Sequence, residues 1–364
     1  MHSLKDSDRH IVDSIGGLLD DAGGLARVRR LQSTPMSLDR ALWTRLASLG
    51  WLGAAVPEAQ GGVGLALTEI ALLLEHAGKR LMPEPLVLAL SGARLLARCN
   101  TQAAAALLAA VIAGKTLCVP VEGGVAGEGR AALAADGAQR VSGRTGYVSD
   151  GHVGDVFLLL LDVNGTARLC ALARGAEGLT LESEETVDGG SITRLRLGGV
   201  KLADMTVLHE GTGALVAMAE AEDLLRIGYS ALLTGLMDEA LEMTVAYLKD
   251  RRQFGVPIGS FQALQHRAAS LYVIIKATRA LLYEACKAGP ERRGVAALGV
   301  KAYAAQSAMQ TVKECVQLHG AMGYTEEHNM SLFFRRAMSL AVAGGDASSC
   351  RKLLYGERQN IRAI

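Results

Sequence analysis

The chain has 364 residues, a formal net charge of +1, and half of its residues are hydrophobic while only 4% are aromatic. That length supports two or three domains built mainly on Ala, Leu and Val, and near-neutrality excludes the long-range field that steers a protein onto nucleic acid or an anionic membrane. Six scattered cysteines with no C-x-x-C pair exclude a structural zinc site and a disulfide framework, and read as buried free thiols in a reducing compartment.

The N-terminal residues lack a cationic, apolar signal, and no run reaches the roughly 18 apolar residues of a membrane span. A soluble, cytoplasmic protein without metal, membrane or nucleic-acid partners is expected. Leu42, Trp43, Leu46 and Leu49 form one stripe of a helix over 38–49, stopped at Gly50. After a loop with Pro57 and Gly61-Gly62, helical periodicity resumes over 65–81, and an alanine-rich helix covers 101–113. From 115 to 208 the pattern becomes short apolar runs broken by Gly, Asp and Asn, with a hairpin signal at Val163-Asn-Gly165. Long helices return after Ala217: a first with Leu225, Tyr229, Leu232, Leu236 and Ala240 on one face, then 261–287, 294–317 and 347–359. The expected domains are 1–114 (helical), 115–208 (β) and 209–364 (a helical bundle that also buries a subunit interface).

Two segments carry chemistry. Arg251-Arg-Gln-Phe-Gly255 closes the first long helix and is followed by Pro257, Phe261 and Gln262. Gln317-Leu-His-Gly-Ala-Met-Gly-Tyr324 closes the third. Taken alone, Arg251 reads as a solvated cation compensating a helix dipole, and His319 as a histidine at a helix C-terminus. Together, and with Leu49-Gly-Trp-Leu-Gly-Ala-Ala-Val-Pro57 and Glu75-His-Ala-Gly-Lys79, the segments resemble the acyl-CoA dehydrogenase family, FAD enzymes that introduce an α,β double bond into acyl-CoA thioesters. The resemblance covers nearly the whole chain. It implies an α+β fold with an N-terminal helical domain, a middle β domain and a C-terminal four-helix bundle. It also implies that Arg251, Phe254, Gln262, Gln317 and Gly320 contact the FAD of a neighbouring subunit.

The chain departs from the family where its own catalysis would sit. The two positions at which the family carries its proton-abstracting glutamate read Leu225 and Gly345, the latter in Gly345-Asp346-Ala347 where the family has E-G-T. The flavin-covering loop T-E-P-x-x-G-S-D reads Pro120-Val-Glu-Gly-Gly-Val-Ala-Gly127, and the W-I-T strand reads Gly146-Tyr-Val-Ser-Asp150, with Ser149 in the threonine's place. Residues used on a neighbour's cofactor are kept and those for the chain's own are lost. This pattern resembles the non-catalytic subunits of heteromeric bacterial acyl-CoA dehydrogenases for pimeloyl-CoA or steroid side-chain thioesters. It implies an α2β2 assembly with a homologous catalytic subunit, an acyl-CoA substrate and electron-transfer flavoprotein or a similar acceptor. Two other readings stay open: a self-sufficient homo-oligomer with Glu222 or Asp346 as base, and a non-enzymatic structural or acyl-CoA-sensing protein. Asp346 also fits an N-cap ahead of Ala347.

Overall fold

The computed structural model describes residues 6–34, 36, 38–121, 133–134, 136 and 139–362. Helices α1 (Asp6–Asp21), α2 (Gly24–Gln32), α3 (Arg40–Ser48), α4 (Leu67–Lys79), α5 (Leu86–Leu96) and α6 (Gln102–Ile112) come first. Strands follow: β1 (Cys118–Pro120), β2 (Leu133–Ala134), β3 (Arg140–Ser149), β4 (Val156–Val163), β5 (Thr166–Ala173), β6 (Leu179–Glu185), β7 (Ser191–Lys201) and β8 (Thr206–Glu210). The remainder is α7 (Thr212–Asp250), a small hairpin of β9 (Arg252–Gln253) and β10 (Val256–Pro257), α8 (Gln262–Lys287), α9 (Pro290–His319), α10 (Met330–Val342) and α11 (Ala347–Arg362). The order of helices, strands and helices is the one the sequence implies.

Local chemistry sets the helix starts. Asp39 Oδ1 accepts from Leu42 N at 3.0 Å and Thr101 Oγ1 from Ala104 N at 3.2 Å, each relieving an orphan donor of a first helical turn. Pro290 opens α9, where its missing N–H costs nothing.

The chain divides into two compact units, one of Thr34–Leu67 and Glu84–Leu225, the other of Met1–Ser33, Thr68–Pro83 and Arg226–Ile364. The division falls inside α7, between Leu225 and Arg226. In the first unit β4 runs antiparallel to β5 and parallel to both β1 and β2, and β8 adds beyond β5. The β4–β5 turn has positive φ at Asn164 (53°) and Gly165 (79°), the pair of angles a type I′ hairpin needs. A second, antiparallel sheet has the order β3-β7-β6. Along β7, Ser191, Thr193, Leu195 and Leu197 are buried at every second position. Ala93 and Leu96 of α5 and Leu108 and Val111 of α6 form one core with Leu158, Leu169 and Leu208 of the first sheet.

In the second unit α4 crosses the later part of α7 at van der Waals contact. A Cβ on Gly78 would stand 2.1 Å from the Leu232 carbonyl oxygen, and one on Gly235 1.8 Å from that of Glu75. Only glycine permits this approach. Beside the crossing, Arg279 of α8 donates to Glu75 (2.7 Å) and Asp238 (3.0 Å), and Lys79 pairs with Asp238 (3.0 Å) and Glu242 (3.1 Å). The buried Glu75 is thereby matched to a charge. Helix α9 contacts α8, α10 and α11, with Leu298 and Ala302 meeting Cys350 and Leu354. Four of these helices are those read from the sequence, and α10 is an addition.

All six cysteines are free and buried. No helix among the described residues is long and apolar enough to cross a membrane, and those residues hold no cluster of three or more metal-ligating side chains.

Candidate functional site

One end of the helical unit gathers the residues singled out by motif. Helix α7 ends at Asp250, and the chain turns through the β9–β10 hairpin, closed by Ile258 N donating to Arg251 O at 2.8 Å. The turn forces Phe254 into a left-handed φ of 52°, a strained angle for a bulky residue. Its ring is 91% exposed and meets only the edge of Phe261, centroids 6.2 Å apart. Arg251 and Gln262 are exposed, and nothing among the described residues hydrogen-bonds their side chains. A strained aromatic held in solvent beside an unpaired guanidinium is costly to the isolated chain.

The end of α9 lies against the same end of α7. The His319 ring stacks on Tyr247 of α7 (centroids 4.6 Å apart, planes 27° apart) and touches His328 at 4.7 Å. His319 Nδ1 donates to Cys315 O at 2.8 Å, so in the neutral ring Nε2 is the bare nitrogen, and it is buried without a hydrogen-bond partner. Burial pushes the His319 pKa below its ordinary value, and His328 is lowered by burial and by the Arg29 charge. His319 stands in the last turn of α9, as the sequence implies, and is a 2%-exposed ring in the unit's interior.

Past His319, α9 stops at Gly320, whose φ of 62° turns the chain sharply. Gln317 and Gly320 are exposed. Gln317 lines a cleft of about 720 Å³ with Gln310, Lys313, Tyr324, Phe334 and Arg335. The Arg267–Glu314 ion pair ties the first turns of α8, just past Gln262, to this part of α9. The donor set fits the phosphate and adenosine end of FAD: an unpaired guanidinium, two free amides, an exposed Lys313 and aromatic rings.

The two positions at which the resemblance places the family's base, Leu225 and Gly345, have different surroundings. Leu225 is a buried apolar side chain within α7. Three residues earlier on the same helix, Glu222 is also buried and engaged with other groups. Gly345 follows Gly344 in the α10–α11 turn with φ values of 98° and 66°. A Cβ on Gly345 would meet Cys350 Sγ at 3.1 Å. The fully buried Lys301 donates to Ala341 O and Gly345 O, both at 2.9 Å. Asp346 caps α11 through Ser349 N at 2.7 Å. Hydrogen bonds from the Ser349 backbone hold its carboxyl below the usual carboxylate range, against a smaller effect of burial. It is a cap and a weak proton acceptor.

In the sheet unit, Ser149 ends β3, and Tyr147 of that strand lies under the Arg194 guanidinium, 4.1 Å from its ring centre. Of the divergent loop Pro120–Gly127, residues 122–127 lie outside the described residues. Motif reading missed Lys301, Tyr247 and His328. Burial of a lysine against carbonyls leaves no local sequence signal, while the ring stack depends on where two helix ends meet.

Residues 13–115 match the model for the acyl-CoA dehydrogenase N-terminal domain, and 211–355 that for the C-terminal domain. The chain is 32% identical over 329 residues to acyl-CoA dehydrogenase IpdE2 of Mycobacterium tuberculosis (strain ATCC 25618 / H37Rv), with 89% of each chain covered. Among solved structures it is similar to a Tcur3481-Tcur3483 steroid ACAD variant, with TM-score 0.87, 27% identity and 99% of each chain covered. It is also similar to the ChsE4-ChsE5 complex of Mycobacterium tuberculosis, with TM-score 0.84, 25% identity and 98% of each chain covered.

Proposed function

This chain belongs to the acyl-CoA dehydrogenase family, and from that premise we propose that it is one subunit of a heteromeric, FAD-dependent acyl-CoA dehydrogenase. It contributes cofactor contacts to a site whose base comes from its partner. The observation that carries the reading is the contrast between Arg251, Gln262 and Gln317, exposed and unpaired, and Leu225 and Gly345, where no carboxylate stands.

The chemistry the flavin supplies when bound is acceptance of a hydride from the acyl chain. Arg251 provides a permanent positive fork for the pyrophosphate. Gln262 and Gln317 would offer amides to it and to the ribose, and Phe254 would offer it an aromatic face. At Gly320 the backbone itself is approachable. Removal of the α-proton needs a positioned base, worth roughly 10²- to 10⁴-fold, and this falls to a glutamate of the homologous catalytic subunit. Asp346, consumed as a helix cap, favours that assignment over a self-sufficient enzyme.

The similar Tcur3481-Tcur3483 steroid ACAD and ChsE4-ChsE5 complex each pair two proteins, which supports an α2β2 complex, and the steroid ACAD supports a steroid side-chain acyl-CoA as substrate. Electrons then leave to electron-transfer flavoprotein or a similar acceptor. Co-expression with an adjacent acyl-CoA dehydrogenase subunit tests the reading. A single FAD per heterodimer, with activity that the lone chain lacks, is expected. A lone chain that purifies yellow and active would sink it.

A further inference from the structure

One wall of the cleft is held by more than its packing against α9. Tyr324, Glu326, Ser331 and Arg335 form it, and the segment that carries them is tied to α2, some 300 residues earlier in the chain. The Arg29 guanidinium donates to Glu326 O, to Glu327 O at 3.1 Å and to Asn329 Oδ1 at 3.0 Å. One turn on, Gln32 Oε1 accepts from Arg335, which also pairs with the Glu326 carboxylate at 3.0 Å. Arg29 and Gln32 are three residues apart, hence on one face of α2. A single planar fork thus fixes two consecutive carbonyls and a side-chain amide, a geometry that an ammonium cannot reproduce.

We propose that Arg29 is a positioning residue for cofactor binding: through it, α2 sets the width of the cleft that receives the nucleotide end of the flavin. The inference rests on the assignment of Gln317 and Arg251 as cofactor contacts. Its physical basis is that the carbonyls Arg29 holds are near solvent. Water replaces the lost hydrogen bonds at small cost to stability, but the wall loses its tie to α2 and keeps only its packing against α9. The apparent dissociation constant then rises by the reciprocal of the fraction of time the wall is correctly set. A wall in place one tenth of the time gives an effect of about tenfold.

The test uses the complex with its catalytic partner, carrying Arg29→Ala or Arg29→Lys in this chain. FAD affinity is read by flavin fluorescence, and melting is followed on the FAD-free complexes. About tenfold weaker FAD binding in both variants, with melting temperatures unchanged, is the expected result. Unchanged affinity overturns the proposal, as does affinity that falls together with melting temperature, which would make Arg29 merely structural. If the alanine variant does not assemble, the lysine variant decides. Arg251→Ala in the same assay separates the two levels. If it leaves FAD affinity unaltered, the site assignment itself fails; if it weakens binding while the Arg29 variants do not, only the role of Arg29 is lost.

Discussion

Two regions of the helical unit differ in what their polar groups do. At the joined ends of α7 and α9, Arg251, Gln262 and Gln317 face solvent with no protein partner among the described residues, and Phe254 is strained and bare. In the α10–α11 turn the polar side chains bond within the chain: Lys301 to two carbonyls, Asp346 to a helix start, Cys350 Sγ to Gly345 O. The first region leaves polar groups open to solvent, and in the second a turn is closed on itself. On the proposed function, the first is a contact surface and the second a scaffold at a position where the family carries its base.

The widest separation between the regions is expected from Lys301→Met. It strips two charge-assisted bonds from buried carbonyls and lowers unfolding free energy by about 3 kcal/mol in a denaturant titration. Once folded, the complex should bind FAD as before. Arg251→Ala should do the reverse, weakening FAD binding by about ten- to a hundredfold, as expected for a lost bond to a charged group, with the apo melting curve unmoved. If Arg251→Ala instead destabilised the apo chain, the two regions would not differ in kind. Gly345→Glu is expected to cost about 1–3 kcal/mol, because a φ of 98° suits glycine alone. Assay of the lone variant chain with acyl-CoA and an artificial electron acceptor should show no activity; recovery would mean that this turn is still a catalytic position.

The smallest effect is in pH. His319 and His328 have folded pKa values below 6.5, so the unfolded chain takes up protons first and stability falls as pH drops below 6.5. His76, depressed to about 4 chiefly by burial, adds a loss over the window from 6.5 to about 4. Asp346 lies below 3.8 in the folded state, so its cap is complete above 3.8 and fails only beneath it. Hydrogen exchange at pH 5 should therefore quicken over 315–330 while 343–350 stays protected. Equal quickening in both would remove the distinction.

What was legible in the sequence follows from range. Periodicity located α3, α4, α6, α8, α9 and α11 to within a few residues, and the Asn164-Gly165 hairpin had its turn chemistry written locally. Helices α1, α2, α5 and α10 were passed over. The ten buried residues of α5, from Leu86 to Leu96, leave no polar face to mark a period, and α10 starts without a side-chain cap. The motif residues Arg251 and Gln317 were readable because each sits at a helix end with a signature around it. Arg29, Lys301 and the His319–Tyr247 stack were not, because their partners lie 40 to 300 residues away in unrelated segments. Chemistry that depends on one segment is visible in one segment.

The crossing of α4 with α7 has a consequence for descent. Gly78 rests on the carbonyl of Leu232 and Gly235 on that of Glu75, so each glycine sits three residues from the carbonyl that its counterpart presses. Neither position can acquire a side chain unless the helices part, and parting them abolishes the need for glycine at both. The two sites form a single inherited character. Among diverging descendants of this chain they should be retained together or lost together, a covariation that carries no information about substrate.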